Sequence, residues 1–446
     1  MVKRATHSPV LQAIKETLKR FKPNQRFLLG CSGGLDSLAL LYALQQIAQM
    51  AETPIQLRVV HVDHDLQAPS GEWAALVVEH CKVLNIETVV KKVTVAAGNL
   101  EAEARRVRYQ AFAEVIAADE VLVLAHHQQD QAETVLMRLL AGSGVSGLAA
   151  MRVQDTQDGM TILRPWLGVA RAEIHQFAID HDLAWVDDPA NDDAHYERVL
   201  LRQQVWPLLG EHWAGFEAAM ARTAQLMADA ESVLSEQGAL DLATCQTVSG
   251  TLDIAKVETL SIARCRWLLA RWMQGAEPYP APLSRVEALR QMMAARVDAT
   301  PVVEWQSGAR TIQFRRYRQQ LYRFTADLPT AVALTHQFAL DQSLPLASGL
   351  WRDTTQVQGL SKELFGQPLQ LRPRREGEAL HLSGRVGRWP LKKLLQSLAL
   401  PPWQRDQVYI LETLDSEPLA LLSAAGFWPL ADAMVEDGWG MVLEAQ

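Results

Sequence analysis

Phe27-Leu28-Leu29-Gly30-Cys31-Ser32-Gly33-Gly34-Leu35-Asp36-Ser37 is the stretch on which the fold of this chain turns. Phe27-Leu28-Leu29 reads as a buried strand, and Leu35 to Gln49 as a helix after a glycine-rich turn. Glycines let the backbone turn tightly and come close to a ligand. The N–H groups freed there, with the positive end of a helix, make a cradle for an anion. The turn lacks the Lys-Ser/Thr ending of a Walker A loop and carries Asp36 instead. A carboxylate that faces bound phosphates makes sense chiefly with a Mg²⁺ ion between them. A plain strand-to-helix turn is the simpler alternative at this point.

Outward from that turn the pattern repeats. Strands are expected at Gln56–Val62, Glu87–Val95 and Val121–Ala125, and helices at Gly71–Leu84, Leu100–Ala117 and Gln131–Leu140. Such alternation predicts an α/β fold: a parallel sheet with helices on both faces and ligands at the carboxyl ends of its strands. Gly142–Gly147 is too rich in glycine for a regular element and is expected to be a mobile loop. A long helix at Leu208–Leu234 then leads out of this domain. Helices at Ile262–Met273 and Leu283–Ala295 follow, with short strands at Val302–Trp305, Thr311–Phe314 and Gln320–Phe324. Residues 326–350 read as a linker, and the chain from Leu364 as short strands around one helix at Leu391–Leu398. The expected domains are a catalytic one over 1–215, a mostly helical one over 216–330, and over 331–446 the linker with a small basic α+β domain.

At 446 residues the chain exceeds what one core organises. With 48% apolar and 21% charged residues it has an ordinary globular composition, and no apolar run is long enough for a membrane span or a signal peptide. Cys31, Cys81, Cys245 and Cys265 are scattered, which argues against a disulfide framework or a zinc or iron–sulfur site and fits a reducing cytoplasm. A net charge of −8 argues on average against nucleic acid. Yet Arg372 to Arg405 holds eight basic residues (Arg372, Arg374, Arg375, Arg385, Arg388, Lys392, Lys393, Arg405) against Glu376 and Glu378, and the chain from Asp406 onward holds eight acids with no Lys or Arg. That asymmetry suits a polyanion-binding surface, with Trp403 available to stack; a solvated charged face fits the composition equally well.

Ser-Gly-Gly-x-Asp-Ser after a strand resembles the signature of the PP-loop ATP pyrophosphatases, which cleave ATP to AMP and pyrophosphate. Further runs resemble the tRNA(Ile)-lysidine synthetase family within that superfamily. They are Val60-His61-Val62-Asp63-His64, Asn99 to Tyr109, His126 to Thr134, Asp188-Pro189-Ala190-Asn191-Asp192 continuing to Tyr196, Arg198 and Arg202, and Leu391 to Leu395 with Pro401-Pro402-Trp403. The resemblance covers nearly the whole chain in order. It implies ATP and Mg²⁺ as cofactors, and as partners a tRNA(Ile) with a CAU anticodon and free L-lysine. C2 of the wobble cytidine is activated as an adenylate, and the lysine ε-amine then displaces AMP. It also implies a cytoplasmic enzyme with no membrane association, and allows a homodimer.

The same resemblance places nucleotide binding at Ser32, Gly33, Gly34, Leu35, Asp36, Ser37, His61, Asp63 and His126, with Asp36 and Asp130 toward the metal. Residues 126, 130 and 133 share a helix face by spacing, so Asp130 and Glu133 are candidates for the lysine site or a metal contact. A solvated acid pair is the plain alternative, and zinc lacks a third ligand at the right spacing. Arg105 and Arg108 become candidates for the RNA backbone or the adenylate phosphate, as does Arg202, since guanidinium forks suit phosphate oxygens. Without the resemblance, a solvated basic face and a capping Asp63 read equally well. Two departures stand out: Gln129 occupies the first of two positions that are usually aspartates, and Val199 the Asn of an Arg-Asn-x-x-Arg run. A tRNA-thiolating relative would carry a cysteine pair, of which only Cys31 lies in the loop.

Overall fold

The computed structural model describes residues 8–50, 55–64, 70–96, 100–187, 197–277, 280–295, 301–326, 330–337, 343–364, 367–381 and 387–443. Asn99, the run from Asp188 to Tyr196, and Arg385 lie outside them. The chain packs as two compact units, Met1–Glu236 and Gln237–Gln446.

In the first unit α1 (Pro9–Leu18) precedes β1 (Arg26–Gly30), α2 (Leu35–Gln49), β2 (Gln56–Asp63), α3 (Ser70–Leu84), β3 (Glu87–Lys92), α4 (Leu100–Val115), β4 (Glu120–Val123) and α5 (Gln128–Leu140). There follow α6 (Val145–Leu148), a hairpin of β5 (Gln154–Gln157) and β6 (Met160–Leu163), and α7 (Arg171–Asp180). A π-turn at Leu201–Val205 joins α8 (Glu197–Leu200) to α9 (Trp206–His212), and α10 (Phe216–Cys245) runs through the boundary between the units.

The sheet order is β3-β2-β1-β4-β6-β5, parallel except for β5 at the edge. Side chains of a strand alternate between faces. On β1, Phe27 and Leu29 pack into one core with α1, α2 and α7, while Leu28 joins Val60, Phe112 and Leu122 in another. Both faces are covered, which is why β1 reads as an unbroken apolar run. The order reverses between β1 and β4, so the loops leaving these strands diverge and open a crevice.

Two expectations are corrected here, and one element is added. The helix read at Leu208–Leu234 is two helices, broken at Trp213–Gly215, where Gly215 has φ +75°. The loop at Gly142–Gly147 holds the start of α6, and Arg138 ties its end down by donating to the carbonyls of Gly147 (2.8 Å) and Ala150 (3.2 Å). The β5–β6 hairpin went unread because β5, Gln-Asp-Thr-Gln, is an edge strand without an apolar face.

The second unit begins with β7 (Leu252–Asp253), α11 (Ile254–Val257), α12 (Ile262–Gln274), α13 (Leu283–Met293), β8 (Val302–Ser307), β9 (Arg310–Tyr317) and β10 (Gln320–Thr325). The antiparallel sheet β7-β10-β9-β8 packs on α12 and α13 through Leu268, Leu269, Leu289, Phe314 and Leu321. Beyond it lie β11 (Leu334–Gln337), β12 (Ser343–Leu346), β13 (Gly349–Leu360), β14 (Pro368–Pro373), β15 (Ala379–His381), β16 (Arg388–Pro390), α14 (Leu391–Ser397), β17 (Tyr409–Glu412), β18 (Pro418–Ser423), β19 (Gly426–Pro429) and β20 (Met434–Leu443). The segment read as a linker thus supplies β11 and β12. Its Leu334, Leu344 and Leu346 pack on a core built from Trp351, Leu371 and Trp439.

The basic run is also less exposed than its composition implied. Arg372 is buried between Glu378 (2.5 Å) and Glu412 (2.7 Å), Arg374 pairs with Asp406, and Arg405 donates to the Leu400 carbonyl. Arg375, Arg388, Lys392 and Lys393 are the run's exposed cations among the described residues. Trp403 is stacked on Phe324 at 5.8 Å, with Tyr317 and Tyr322 edge-on. Arg372→Ala would strand two covered carboxylates, so it is expected to cost about 3–5 kcal/mol of stability. Urea unfolding followed by the fluorescence of the second unit's tryptophans checks this; an unchanged midpoint would mean that the triad contributes nothing.

Candidate active site

The loop between β1 and α2 is shaped by its backbone. Gly33 has φ +88°, and a Cβ there would meet Val77 Cγ2 at 3.3 Å, so sign and space both require glycine. Gly34 caps α2 without a side-chain acceptor, and the first helical bond runs from Leu38 N–H to the Gly34 carbonyl at 3.1 Å. The N–H groups of Leu35, Asp36 and Ser37 therefore have no acceptor within the helix. Together with the helix's positive end they form the anion cradle. The side chains of Leu35 and Ser37 are turned inward. Leu35 belongs to the core, while Ser37 Oγ accepts from Ser32 N–H (3.2 Å) and donates to the Gly34 carbonyl (3.0 Å). Leu35 and Ser37 thus brace the loop with their side chains and offer the cradle their backbone N–H groups.

Behind the loop, His61 Nδ1 lies 2.9 Å from the Cys31 carbonyl, to which it donates. Burial holds its imidazole below the usual value, so the ring is neutral. Asp63 is buried at the end of β2, with Lys92 Nζ at 4.0 Å. Burial pushes the Cys31 thiol up to about 11, so it stays protonated at neutral pH. That is unsuited to sulfur transfer, which needs a thiolate.

The loop after β4 faces this cradle across the crevice. His126 is not on the helix, as its spacing implied, because α5 begins at Gln128. Burial takes the His126 imidazole down to about 3; Asp130 opposes this, and Arg164, Arg108 and Arg105 reinforce it. Its neutral ring can accept or donate a hydrogen bond but carries no charge. His127, passed over in the sequence, is the residue that ties the site together. Its Nε2 lies 3.6 Å from Asp36 Oδ2 and 3.5 Å from Asp130 Oδ2, and its backbone N–H donates to Asp130 Oδ2 at 3.0 Å. Burial works against its charge, but the two carboxylates outweigh that and raise its pKa.

One turn further along α5, Glu133 is fully buried. Arg202 grips it with Nε on Oε1 (2.5 Å) and Nη2 on Oε2 (3.0 Å), and also reaches Asp130 Oδ1 at 3.3 Å. Burial raises the Glu133 carboxyl even though Arg202 pulls it down. For Asp130, burial is outweighed by His127, His126 and Arg202, which hold its carboxyl below the usual range. Arg202 is thus a carboxylate partner here, not a free phosphate ligand. Arg105 is exposed, its guanidinium 4.8 Å from the Tyr109 ring centroid and its Nη2 donating to Tyr109 Oη at 3.3 Å. Arg108 is half-buried on the same helix.

A Mg²⁺ ion fits these donors. Asp36 Oδ1 is covered and accepts no hydrogen bond among the described residues, and Asp130 converges on the same imidazole. Among the described residues no group of three or more His, Cys, Asp and Glu could hold a metal ion alone; Mg²⁺ commonly keeps several ligands from phosphates and water. No helix of the described residues is long and apolar enough to cross a membrane.

The first unit matches the PP-loop domain family over residues 6–209. The second matches two families described as the TilS substrate binding domain, over residues 252–322, and the TilS substrate C-terminal domain, over 369–443. The tRNA(Ile)-lysidine synthase of Acinetobacter baylyi is 38% identical over 427 residues, which span 94% of this chain and 91% of that protein. The chain belongs to the tRNA(Ile)-lysidine synthase family. Members from Xanthomonas campestris and Shigella flexneri are 39% and 36% identical, over 87% and 93% of this chain and 88% and 94% of their own.

Within that family the two departures now have a physical setting. Gln129 Nε2 donates to Glu133 Oε1 at 3.1 Å, so a neutral amide braces the buried carboxylate where an aspartate would repel it. Val199 is buried, which fits an apolar side chain at that place. His127 carried one local sign, though its link to Asp36 is not local. His127 directly precedes a helix whose third residue is Asp130, the spacing of a capping pair.

Proposed function

We propose that this chain attaches lysine to C2 of the wobble cytidine of a tRNA(Ile) with a CAU anticodon, through an adenylated RNA, with ATP going to AMP and pyrophosphate. The observation that carries this reading is the convergence on one imidazole, His127, of Asp36 from the phosphate cradle and Asp130 from the Glu133–Arg202 cluster. ATP seated in the cradle would lie beside a buried acidic cluster, as adenylation at O2 followed by amine attack on the adjoining C2 requires.

In the first step the cytidine O2 attacks the α-phosphorus of ATP. The O2–phosphorus bond forms, the bond between the α-phosphorus and the bridging oxygen breaks, and pyrophosphate leaves. Loop N–H groups hold the phosphates in line, which is catalysis by positioning and fixed dipoles. Asp36 and Asp130 would hold Mg²⁺, which supplies charge neutralisation at phosphate oxygens. In the second step the lysine nitrogen attacks C2 and AMP departs with the O2 oxygen. The amine must shed a proton to act, and a buried carboxylate such as Glu133, whose pKa burial raises, is a better base than an exposed one. Arg105 and Arg108 are placed to meet the adenylate phosphate or the RNA backbone.

Mass spectrometry of nucleosides from tRNA incubated with the protein, ATP and lysine tests the whole reading. Lysidine dependent on both small molecules is expected; its absence, with pyrophosphate released, would point to another acceptor. The exposed Lys392 and Lys393 on α14 are assigned to the RNA backbone. Lys392→Glu with Lys393→Glu should therefore weaken tRNA binding and flatten its salt dependence by roughly one to two charge equivalents. Filter binding across a salt series checks this, and an unchanged slope would remove α14 from the interface.

A further inference from the structure

The second unit contains a cavity that the chemistry above leaves unused. It encloses about 590 Å³ between α12, β10 and the turn at Gly250 on one side and the segments around Trp403 and Ala425 on the other. None of its lining residues is Asp or Glu, although the chain carries a net charge of −8. Four aromatic rings (Trp272, Tyr322, Phe324, Trp403) and two guanidinium groups (Arg271, Arg323) contribute to the wall instead. Arg323 is committed to the carbonyls of Met273 and Gln274. Arg271 is exposed, and its guanidinium has no hydrogen bond or ion pair among the described residues. The Trp403 indole N–H is covered and likewise has no acceptor among them. Arg315 lies 5.3 Å from the Trp403 ring centroid and adds a further positive charge to the aromatic cluster.

Aromatic surface, a free guanidinium and a lining without carboxylates describe a receptor for an anionic, flat ligand. An unpaired nucleotide is that ligand: its base packs on rings, and its phosphate meets a guanidinium fork. A cavity of this size takes a small molecule or one splayed-out nucleotide and excludes a duplex. One side lies within the region that matches the TilS substrate C-terminal domain, and Arg271, Trp272, Gly275 and Tyr322 of the other lie within the region that matches the TilS substrate binding domain. We propose that this cavity receives one unpaired nucleotide of the RNA substrate, its base against Tyr322, Phe324 and Trp403 and its phosphate on Arg271. The inference rests on the RNA-modifying reading above.

Two exposed positions test it without disturbing a core: Arg271→Glu reverses the free charge, and Ala425→Trp fills the mouth. The experiment compares chemical probing of unpaired nucleotides in the tRNA complex, and tRNA affinity, for the wild-type chain and both variants. Each variant is expected to lose protection at the same single unpaired nucleotide, to bind roughly tenfold more weakly, and to keep protection of the anticodon loop. Unchanged protection and affinity in both variants would overturn the proposal. Equilibrium dialysis with AMP supplies the other arm. A second AMP per chain that both variants abolish, with RNA protection intact, would assign the cavity to a free nucleotide and overturn the RNA assignment. If pocket variants bind tRNA and form lysidine as the wild type does, only the pocket falls; if the wild type forms no lysidine, the function itself falls.

Discussion

Asp36→Ala is expected to lower lysidine formation by roughly a thousandfold or more, while tRNA affinity stays within about twofold. Removing one fixed group that stabilises transition-state charge typically costs 10²–10³ in rate, and Asp36 contributes in two ways. Its covered Oδ1 is the open donor of the site, and its Oδ2 holds His127 in place. The fold should tolerate the change. Asp36 lies in the first turn of α2, where loss of a negative charge costs about 0.3–1 kcal/mol through the helix dipole, and alanine is the best helix former. Asp36→Asn separates the two contributions, because the amide keeps the shape but is a weak metal ligand. It should demand more Mg²⁺ than the wild type, whereas Asp36→Ala should not be rescued by added Mg²⁺. Retained turnover in either variant at low Mg²⁺ would refute the metal role; lost tRNA binding would mean that the residue supports the fold instead.

Much of the loop and its flanking elements is legible in the sequence, and for a physical reason. The strand, the tight turn and the helix that make the cradle are contiguous, so the glycines, Asp36 and the apolar run of β1 report on one another locally. The same holds for α2, α3 and α5, whose ends stood within a few residues of their reading. What stayed hidden depends on partners far apart in the chain. Nothing local says that Arg202 turns its fork onto Glu133, 69 residues earlier, instead of toward a phosphate. Nothing local says that Arg372 is buried by Glu412, 40 residues on, so the basic run looked more exposed than it is. His127 was overlooked because a histidine beside another histidine has no periodic signal, and its importance comes from Asp36 on a different element.

The buried cluster on α5 gives the second large effect, and the two halves of its ion pair are expected to fail differently. Glu133→Ala removes a carboxylate proposed to face the lysine amine. A hydrogen bond to a charged group contributes about 1.5–3 kcal/mol, so the lysine KM should rise roughly ten- to a hundredfold. Adenylation, followed as lysine-independent pyrophosphate release in a single turnover, should be unchanged. Arg202→Ala does something else. It leaves Glu133, which is 0% exposed, without its cation, and truncating one partner of a buried pair costs about 3–5 kcal/mol. Burial already lifts the Glu133 carboxyl above its usual value of 4.5, and loss of Arg202 lifts it further. A carboxyl with a raised folded-state pKa favours the fold below the unfolded value and loses that contribution as pH rises through the folded one. Arg202→Ala should therefore melt closer to wild type near pH 5 than near pH 8, and Glu133→Ala should show no such slope. In the double variant the stranded carboxylate is gone, so most of the lost stability should return while the lysine KM stays high. A double variant as unstable as Arg202→Ala would show that Arg202 supports the unit through other contacts, with Asp130 the first to examine.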